Sequence, residues 1–378
     1  MTLLTAPSVE TKEFSWVNGR ITGYLSGFIG SLSLLAVLAY LFPAYLTTPE
    51  LRQVYDASML QWVLQVAIWV ALICGAANWF LNKRKRWGVA GIGFALMAMF
   101  LGGAQIPVAA VPSSPFSLGV DWLILAFIIS APIFISLEKL LPKYSEQPIL
   151  RPKWRTDLSY FVINHLLITA VLFLGNQCIA QVQEWVGHSG WLFGFREFVQ
   201  QLPLAVQFIW VLLVADFVLY WEHRVFHERK SLWPFHAVHH SVEHLDWLAG
   251  SRTHLVQTFV ERSLVMVALY LTGVDKMVLD LYVGFAAIQA VVIHCNTGLN
   301  FGPLKFLLVT PQYHHWHHSS ESEAIDTNYS AHTTLFDRLF KTYHFPVQRW
   351  PKKYGTTKPL PGKIWSQFVY PIKALVRK

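Results

Sequence analysis

Charged side chains are scarce in this sequence. They make up 14% of its 378 residues, against 54% hydrophobic, whereas a soluble domain carries about a quarter charged residues. With a mean hydropathy of +0.38, that shortage excludes an ordinary soluble domain and points to an integral membrane protein. Cysteine is scarce as well. Cys74, Cys178 and Cys295 lie in or beside apolar stretches, and none belongs to a Cys-x-x-Cys pair, so they read as buried structural thiols. Several signatures are missing outright. There is no His-Glu-x-x-His of the zinc proteases and no Glu-x-x-His of the soluble di-iron bundles. Gly-x-Gly-x-x-Gly and a haem-binding His-Pro-Gly-Gly are also missing. No segment therefore reads as a dinucleotide fold or a fused cytochrome b5 domain, and no serine- or cysteine-type nucleophile has its partners. Internal repeats and low-complexity linkers are lacking too.

Long uncharged runs are what the chain has instead. A spanning helix needs about 20 mainly apolar residues. Ile21–Pro49, Ala57–Asn82, Trp87–Val120 and Leu158–Gln183 carry no charge, and Trp122–Leu137 and Phe198–Ala215 qualify with their flanks. Six spans therefore precede the first histidine cluster. Leu255–Ile293 is apolar but interrupted by Glu261, Arg262, Asp275, Lys276 and Asp280, and it reads as a helical hairpin that crosses or re-enters the bilayer. Basic residues alternate between loops. Lys83-Arg84-Lys85-Arg86 follows the second span, and Lys139, Lys143, Arg151, Lys153 and Arg155 follow the fourth. The loops after the first and third hold Arg52 alone and no basic residue. By the positive-inside rule the N-terminus and the basic loops are cytoplasmic, and the sixth span delivers His223 to the cytoplasmic surface.

Met1–Trp16, polar with Glu10, Lys12 and Glu13, does not read as a cleaved signal peptide. The net charge of +8 is placed by topology and not on an aromatic-studded basic strand, which argues against nucleic acid. After Pro346, Lys352, Lys353, Lys358 and Lys363 form a basic tail suited to anionic headgroups.

Histidine is concentrated. Of 16, all but His165 and His188 lie between His223 and His344. His223-x-x-x-His227, His236-x-x-His239-His240 and His314-His315-x-His317-His318 are spaced so that two or three rings of each cluster share a helix face. A further His294 follows the apolar hairpin. The topology brings all of these to one side. A single divalent ion rarely needs more than six ligands, so nine converging histidines suit two. An all-imidazole site excludes magnesium and calcium, which take oxygen; iron, zinc, copper and manganese remain. Structural zinc is closed by four ligands in a small soluble module, unlike this. Two metals beside a bilayer, with iron foremost, suit oxygen activation for C–H oxidation of a lipid. A metal transporter or sensor is the rival of another class. Its ligands would sit mid-membrane on broken helices with carboxylates among them, whereas these clusters follow the apolar spans and hold no Asp or Glu.

The three boxes resemble the fatty acid hydroxylase/sterol desaturase superfamily. The likeness extends to Asp216-Phe-Val-Leu-Tyr-Trp-Glu-His223-Arg, Trp233-Pro-Phe-His236-Ala-Val-His239-His240-Ser, Pro311 to Ser319, Asp326-Thr-Asn328-Tyr329 and Leu335-Phe-Asp337-Arg338-Leu339-Phe340. It covers about Asp121 to Pro346. It implies an all-α integral membrane protein, a multi-span helical bundle with a cytosolic histidine-box di-metal cap. The division would be an N-terminal membrane module over 1–118, a di-iron domain over 119–346 and the basic tail over 347–378. By position, the resemblance makes His223, His227, His236, His239, His240, His294, His314, His317 and His318 ligands of two irons, with zinc a possible replacement on isolation. His315 breaks the box spacing and points away. His254, in a place where the family often has Arg-x-His-Pro and this chain has Leu255, is either a supporting residue or a water-bridged ligand. His244 and His332 are peripheral. Ser330 and Lys341 stand where the family commonly has Gly.

Two further residues are candidates for the catalytic machinery. Asp216, two helical turns before His223, is expected to hydrogen-bond the second ring nitrogen of a ligand. Asn296 is expected to support a ligand in the same way, or to cap a helix. Glu222 either does likewise or pairs with Arg224; Asp326 and Asp337 do likewise or pair with Arg338. The implied reaction is hydroxylation of a lipid alkyl carbon with molecular oxygen and two electrons. Sterol or lipid desaturation and ether-lipid monooxygenation are its alternatives. The electrons would come from a separate cytochrome b5- or ferredoxin-like donor, and the lipid from the bilayer.

Overall fold

The computed structural model of the chain describes residues 20–48, 51, 56–106, 117–186 and 190–376. The polar segment 1–16, Pro49, Arg52 and His188 lie outside the described residues. Among those described, every regular element is a helix. Strand pairing is limited to isolated bridges of Pro142 with Thr297, Leu308 with Thr333 and Ser319 with Tyr354. The chain divides into two compact units between Ile124 and Leu125.

The first unit is built on α1 (Arg20–Leu41), α2 (Ala57–Leu81) and α3 (Arg86–Phe100). Helices apolar on all faces suit a lipid surround, and here Phe80 and Phe100 are both 85% exposed. Between helices, small residues replace large ones. A Cβ on Gly91 of α3 would come within 2.2 Å of the Ser26 backbone in α1, the close approach that lets membrane helices pack by van der Waals contact. Val37, Leu64, Ile68, Ala71 and Ala95 fill the core. Asp56 starts α2 by accepting from the Ser58 and Met59 backbone N–H groups, satisfying donors a helix start leaves free. Gly102 and Gly103 stop α3 with φ of +113 and +56, a conformation that favours glycine. The apolar segment expected over Trp87–Val120 is therefore a shorter span ending at Gln105.

The second unit begins within α4 (Val120–Leu140). It continues through α5 (Trp154–Leu166), α6 (Ile168–Val186), α7 (Gly190–Gln200), α8 (Leu204–Glu228), α9 (Trp233–His240), α10 (Leu255–Thr272) and α11 (Lys276–Val292). Three short helices close it: α12 (Pro311–His317), α13 (Leu335–Leu339) and α14 (Ile364–Val376). Six helices in the two units are long and apolar enough to cross a membrane, so the chain is a multi-pass membrane protein.

Two expected segments differ and a third holds. Leu158–Gln183 is not one straight helix: α5 and α6 are bent by 50°. His165 Nδ1 lies 2.7 Å from Phe161 O, so a side chain enters the backbone ladder just before the bend, a recognised cause of kinks. The sixth span does not start at Phe198. Pro203 caps α8, its missing N–H matching a helix start, and Phe198 belongs to α7. From there α8 runs unbroken for 25 residues, carrying His223 and His227 on its last two turns. The hairpin is confirmed as two helices, of which α10 qualifies as a span, while α11 has 17 residues and falls short of the usual length. Its turn needs Gly273, at φ +69, where a Cβ would meet Arg196 at 2.5 Å.

Candidate metal centre

Four elements bring the histidines together: the end of α8, α9, the residue after Ile293, and α12. They form two groups within which one ring nitrogen of each residue lies within 4.8 Å of the others. His223, His227, His236, His240 and His317 make one group; His239, His294, His314 and His318 make the second. Box and group do not coincide. On α9, His236 and His240 share a face at i and i+4 while His239 turns to the other group; on α12, His317 turns away from His314 and His318. The second and third boxes thus feed both groups, unlike the expectation that each aims in one direction, while His223 and His227 of the first box both face the five-histidine group.

The outer nitrogens explain the inner ones. Nδ1 of His223 lies 2.8 Å from Tyr329 O, that of His239 3.2 Å from Arg252 O, that of His294 2.7 Å from Ala290 O and that of His317 2.8 Å from Thr327 O. A carbonyl only accepts, so each Nδ1 carries the proton and each Nε2 presents a bare lone pair to the centre. His236 Nδ1 is likewise 2.9 Å from Gln257 Oε1, and His227 Nδ1 is 3.3 Å from Asp326.

The Nε2 atoms face one another, and in His223–His236, where both Nδ1 atoms have acceptors, they do so as two lone pairs. Nε2–Nε2 separations are 3.0 Å for His223–His236 and His236–His240, 3.1 Å for His227–His240 and 3.0 Å for His294–His314. Two unprotonated nitrogens at that distance repel unless a cation lies between them. Imidazole nitrogens bound at about 2.1 Å and at right angles to each other would sit about 3.0 Å apart, which is the spacing found. His317 Nε2 is buried without a hydrogen-bond partner, as a donor awaiting a metal would be. Burial holds His236, His239, His240, His314, His317 and His318 well below the usual imidazole range, and His294 at about 4. They are neutral at physiological pH, the form that binds metal. The residues therefore fit a pair of imidazole-liganded transition metals.

The other candidates fall elsewhere. Asp216 does not touch a ligand. Its carboxylate accepts from the backbone N–H of Ala331, His332 and Thr333 and from the Thr333 hydroxyl, all within 2.9 Å; two turns of helix carry it to a loop instead of to an imidazole. Asn296 does not support a ligand by its side chain either. Its Oδ1 accepts from Tyr144 N and its Nδ2 donates to Tyr144 O, so it ties down the 141–147 loop. Arg224 pairs with Glu228, not Glu222, and Asp337 binds Tyr313, Thr342 and two backbone N–H groups, not Arg338. His254 caps α10 through Val256 N and lies 3.2 Å from Phe368 O, outside both groups. His315 does point away, to Tyr354 and Cys295 O. His332 lies against Tyr282 and Gln289.

What a motif search misses is the support. Four of the orienting groups are backbone carbonyls, which no side-chain pattern reveals. Gln257, one turn into α10, was missed as well. So was a buried ion cluster beneath His239: Arg151 on Asp157 at 2.8 Å and on Asp246 at 2.6 Å, and Arg252 on Asp157 at 2.5 Å. Four charged residues within an apolar chain were the available signal.

The fatty acid hydroxylase family model matches residues 208–342, which hold every histidine of both groups. The match covers 135 of the 378 residues. The chain is similar to an ornithine lipid hydroxylase of Rhizobium tropici, 36% identical over 170 residues, 45% of this chain and 50% of that protein. An alkylglycerol monooxygenase of Danio rerio is 32% identical over 221 residues, 57% of this chain and 49% of the relative. A very-long-chain aldehyde decarbonylase of Oryza sativa subsp. indica is 28% identical over 139 residues, 34% and 22% respectively. The chain spans about half the length of the first two relatives. No solved structure matches it.

Proposed function

We propose that this protein is a membrane-bound lipid hydroxylase that uses two iron ions, molecular oxygen and two electrons from a separate carrier. The observation that carries the reading is the pair of inward-facing Nε2 sets, with two tautomers in each set fixed by backbone carbonyls, at the end of a membrane helix. His223, His227, His236, His240 and His317 would hold one ion and His239, His294, His314 and His318 the other. When bound, the ions supply reductive activation of oxygen and removal of hydrogen from an alkyl carbon. The balance is R–H + O2 + 2 e⁻ + 2 H⁺ → R–OH + H2O.

The protein's own residues set the conditions. Outer carbonyls and Gln257 lock the rings, so little reorganisation is needed when charge changes at the centre. Burial of the rings excludes bulk water. The lipid tail lies in the bilayer against the apolar faces of α10 and α11, and the N-terminus and histidine cap are cytoplasmic, the side on which the basic loops fall. The resemblance to an alkylglycerol monooxygenase supports a second substrate reading. Hydroxylation of a carbon next to an ether oxygen gives a hemiacetal, which breaks to an aldehyde and an alcohol.

Elemental analysis of detergent-purified protein, with His317→Ala and His239→Ala alongside, tests the centre. About two irons per chain, with each variant losing the ion of its own group first, is expected. Full loading in both variants would sink the assignment. Lipid extracts should then show products one oxygen heavier, or fatty aldehydes if the substrate is an ether lipid.

A further inference from the structure

His315 is the one histidine of the third box that neither group uses, and it joins the cap surface to the ligand set. The Tyr144 hydroxyl, on a side chain 38% exposed, donates to Pro351 O at 3.1 Å and lies 3.3 Å from the Tyr354 hydroxyl. Tyr354 Oη is 3.0 Å from His315 Nδ1, and His315 Nε2 is 3.2 Å from Cys295 O. A carbonyl only accepts, so Nε2 carries the proton and Nδ1 of the neutral ring accepts from Tyr354. Cys295 is peptide-bonded to His294 of the four-histidine group. The Trp350 ring also packs on His315, at 5.1 Å between centroids. The line thus runs from Tyr354 through hydrogen bonds of 3.0 and 3.2 Å and covalent bonds to a ligand, with the Tyr144 hydroxyl 3.3 Å from its outer end, and such links carry a tunnelling electron far better than an equal gap of van der Waals contact.

The patch over the line is basic. Lys143 Nζ lies 5.0 Å from the Trp350 centroid and 5.9 Å from that of Tyr144, and Lys352 and Lys353 are exposed. Nearby acids are mostly engaged: Glu243 with Lys153 at 2.7 Å and Glu321 with Arg349 at 3.0 Å, leaving Glu146 on the rim. The segment is held on the cap, with Ser320 N donating to Lys353 O at 3.1 Å and Tyr354 bridging to Ser319. Lys352 and Lys353 are therefore part of the cap face and not of a free tail.

We propose that Tyr144 and Trp350, rimmed by Lys143, Lys352 and Lys353, form the docking patch for an acidic one-electron carrier protein, with Tyr354–His315–Cys295 beneath it as the electron's way in. This rests on the oxygenase reading, which needs two electrons per turnover. Two reduced carriers each give up one electron in successive dockings, and two protons complete the water. Opposite charge steers such encounters and weakens with salt.

The test uses full-length protein in nanodiscs and reduced plant-type ferredoxin, an acidic carrier, as the probe. Wild type should bind it at low salt and release it at high salt. The triple variant Lys143→Glu/Lys352→Glu/Lys353→Glu should bind at least about tenfold more weakly. Tyr354→Phe should bind as wild type does, yet show a several-fold lower ratio of ferredoxin-driven to dithionite-driven product formation. Equal binding by the triple variant, or no binding by wild type, overturns the patch; an unchanged ratio in Tyr354→Phe overturns the line. Wild type that forms no product even with dithionite overturns the oxygenase reading instead, and the binding comparison still decides the patch.

Discussion

Arg252 and His239 are joined through the backbone: the Arg252 carbonyl lies 3.2 Å from His239 Nδ1, while its guanidinium is locked on Asp157 at 2.5 Å. A buried ion pair thus fixes the peptide that fixes the ring. Asp157 also holds Arg151 at 2.8 Å. Asp157→Asn would leave two buried guanidinium groups with Asp246 alone, and breaking a buried pair costs about 3–5 kcal/mol. A lowered melting temperature in detergent, with metal lost first from the four-histidine group, is the expected result. Unchanged melting would show that the pair contributes nothing net.

Gln257 should matter to the five-histidine group alone. It is the acceptor for His236 Nδ1 at 2.9 Å, and loss of such a partner typically lowers metal affinity or activity 10–100-fold. For Gln257→Leu we expect metal content to fall toward one ion per chain, with the other group kept. A variant that retains both ions at full occupancy would remove Gln257 from the ligand support.

Asp216 should behave as a loop anchor. It accepts four hydrogen bonds from residues 331–333. Asp216→Asn weakens charge-assisted bonds and sets an N–H against a donor, costing on the order of 2–3 kcal/mol. Thermal melts should report that loss, while elemental analysis finds the metals of the folded fraction intact. Selective metal loss without loss of stability would restore Asp216 to the role its spacing suggests.

Stability of the metal-free protein should fall with acid. Burial pushes His332 down to about 4 from a usual 6.5. Above 6.5 both folded and unfolded chains are neutral at this ring, and its contribution is complete. Below 6.5 the unfolded chain takes a proton that the folded one refuses, so stability is lost as pH falls toward 4, by about 3 kcal/mol for this ring. His294 at about 4 acts in the same direction. Melts of chelator-treated protein between pH 7.5 and 4 should show the decline, and His332→Gln should make it shallower. A flat profile would contradict neutral burial of these rings.

The nine histidines were legible because imidazole is rare in apolar chains and the boxes repeat at helical spacing. Asp216 and Asn296 were legible as polar residues near the boxes, but their targets were not, since a carboxylate two turns away on a helix can face a ring or a loop equally well. The bend at His165 was hidden for a similar reason: composition records that a run is apolar, and not that one side chain within it turns back onto a backbone carbonyl.

By itself the sequence determined the membrane class, most of the spans and which histidines cluster, because hydropathy over 20 residues and side-chain chemistry are local properties. Tertiary structure alone decided how these histidines divide. His236 and His239 are three residues apart, yet they face different groups, because each ring turns to its own acceptor, Gln257 or Arg252 O. Those acceptors come from a segment that folds back from beyond the box, and no spacing within the box encodes that.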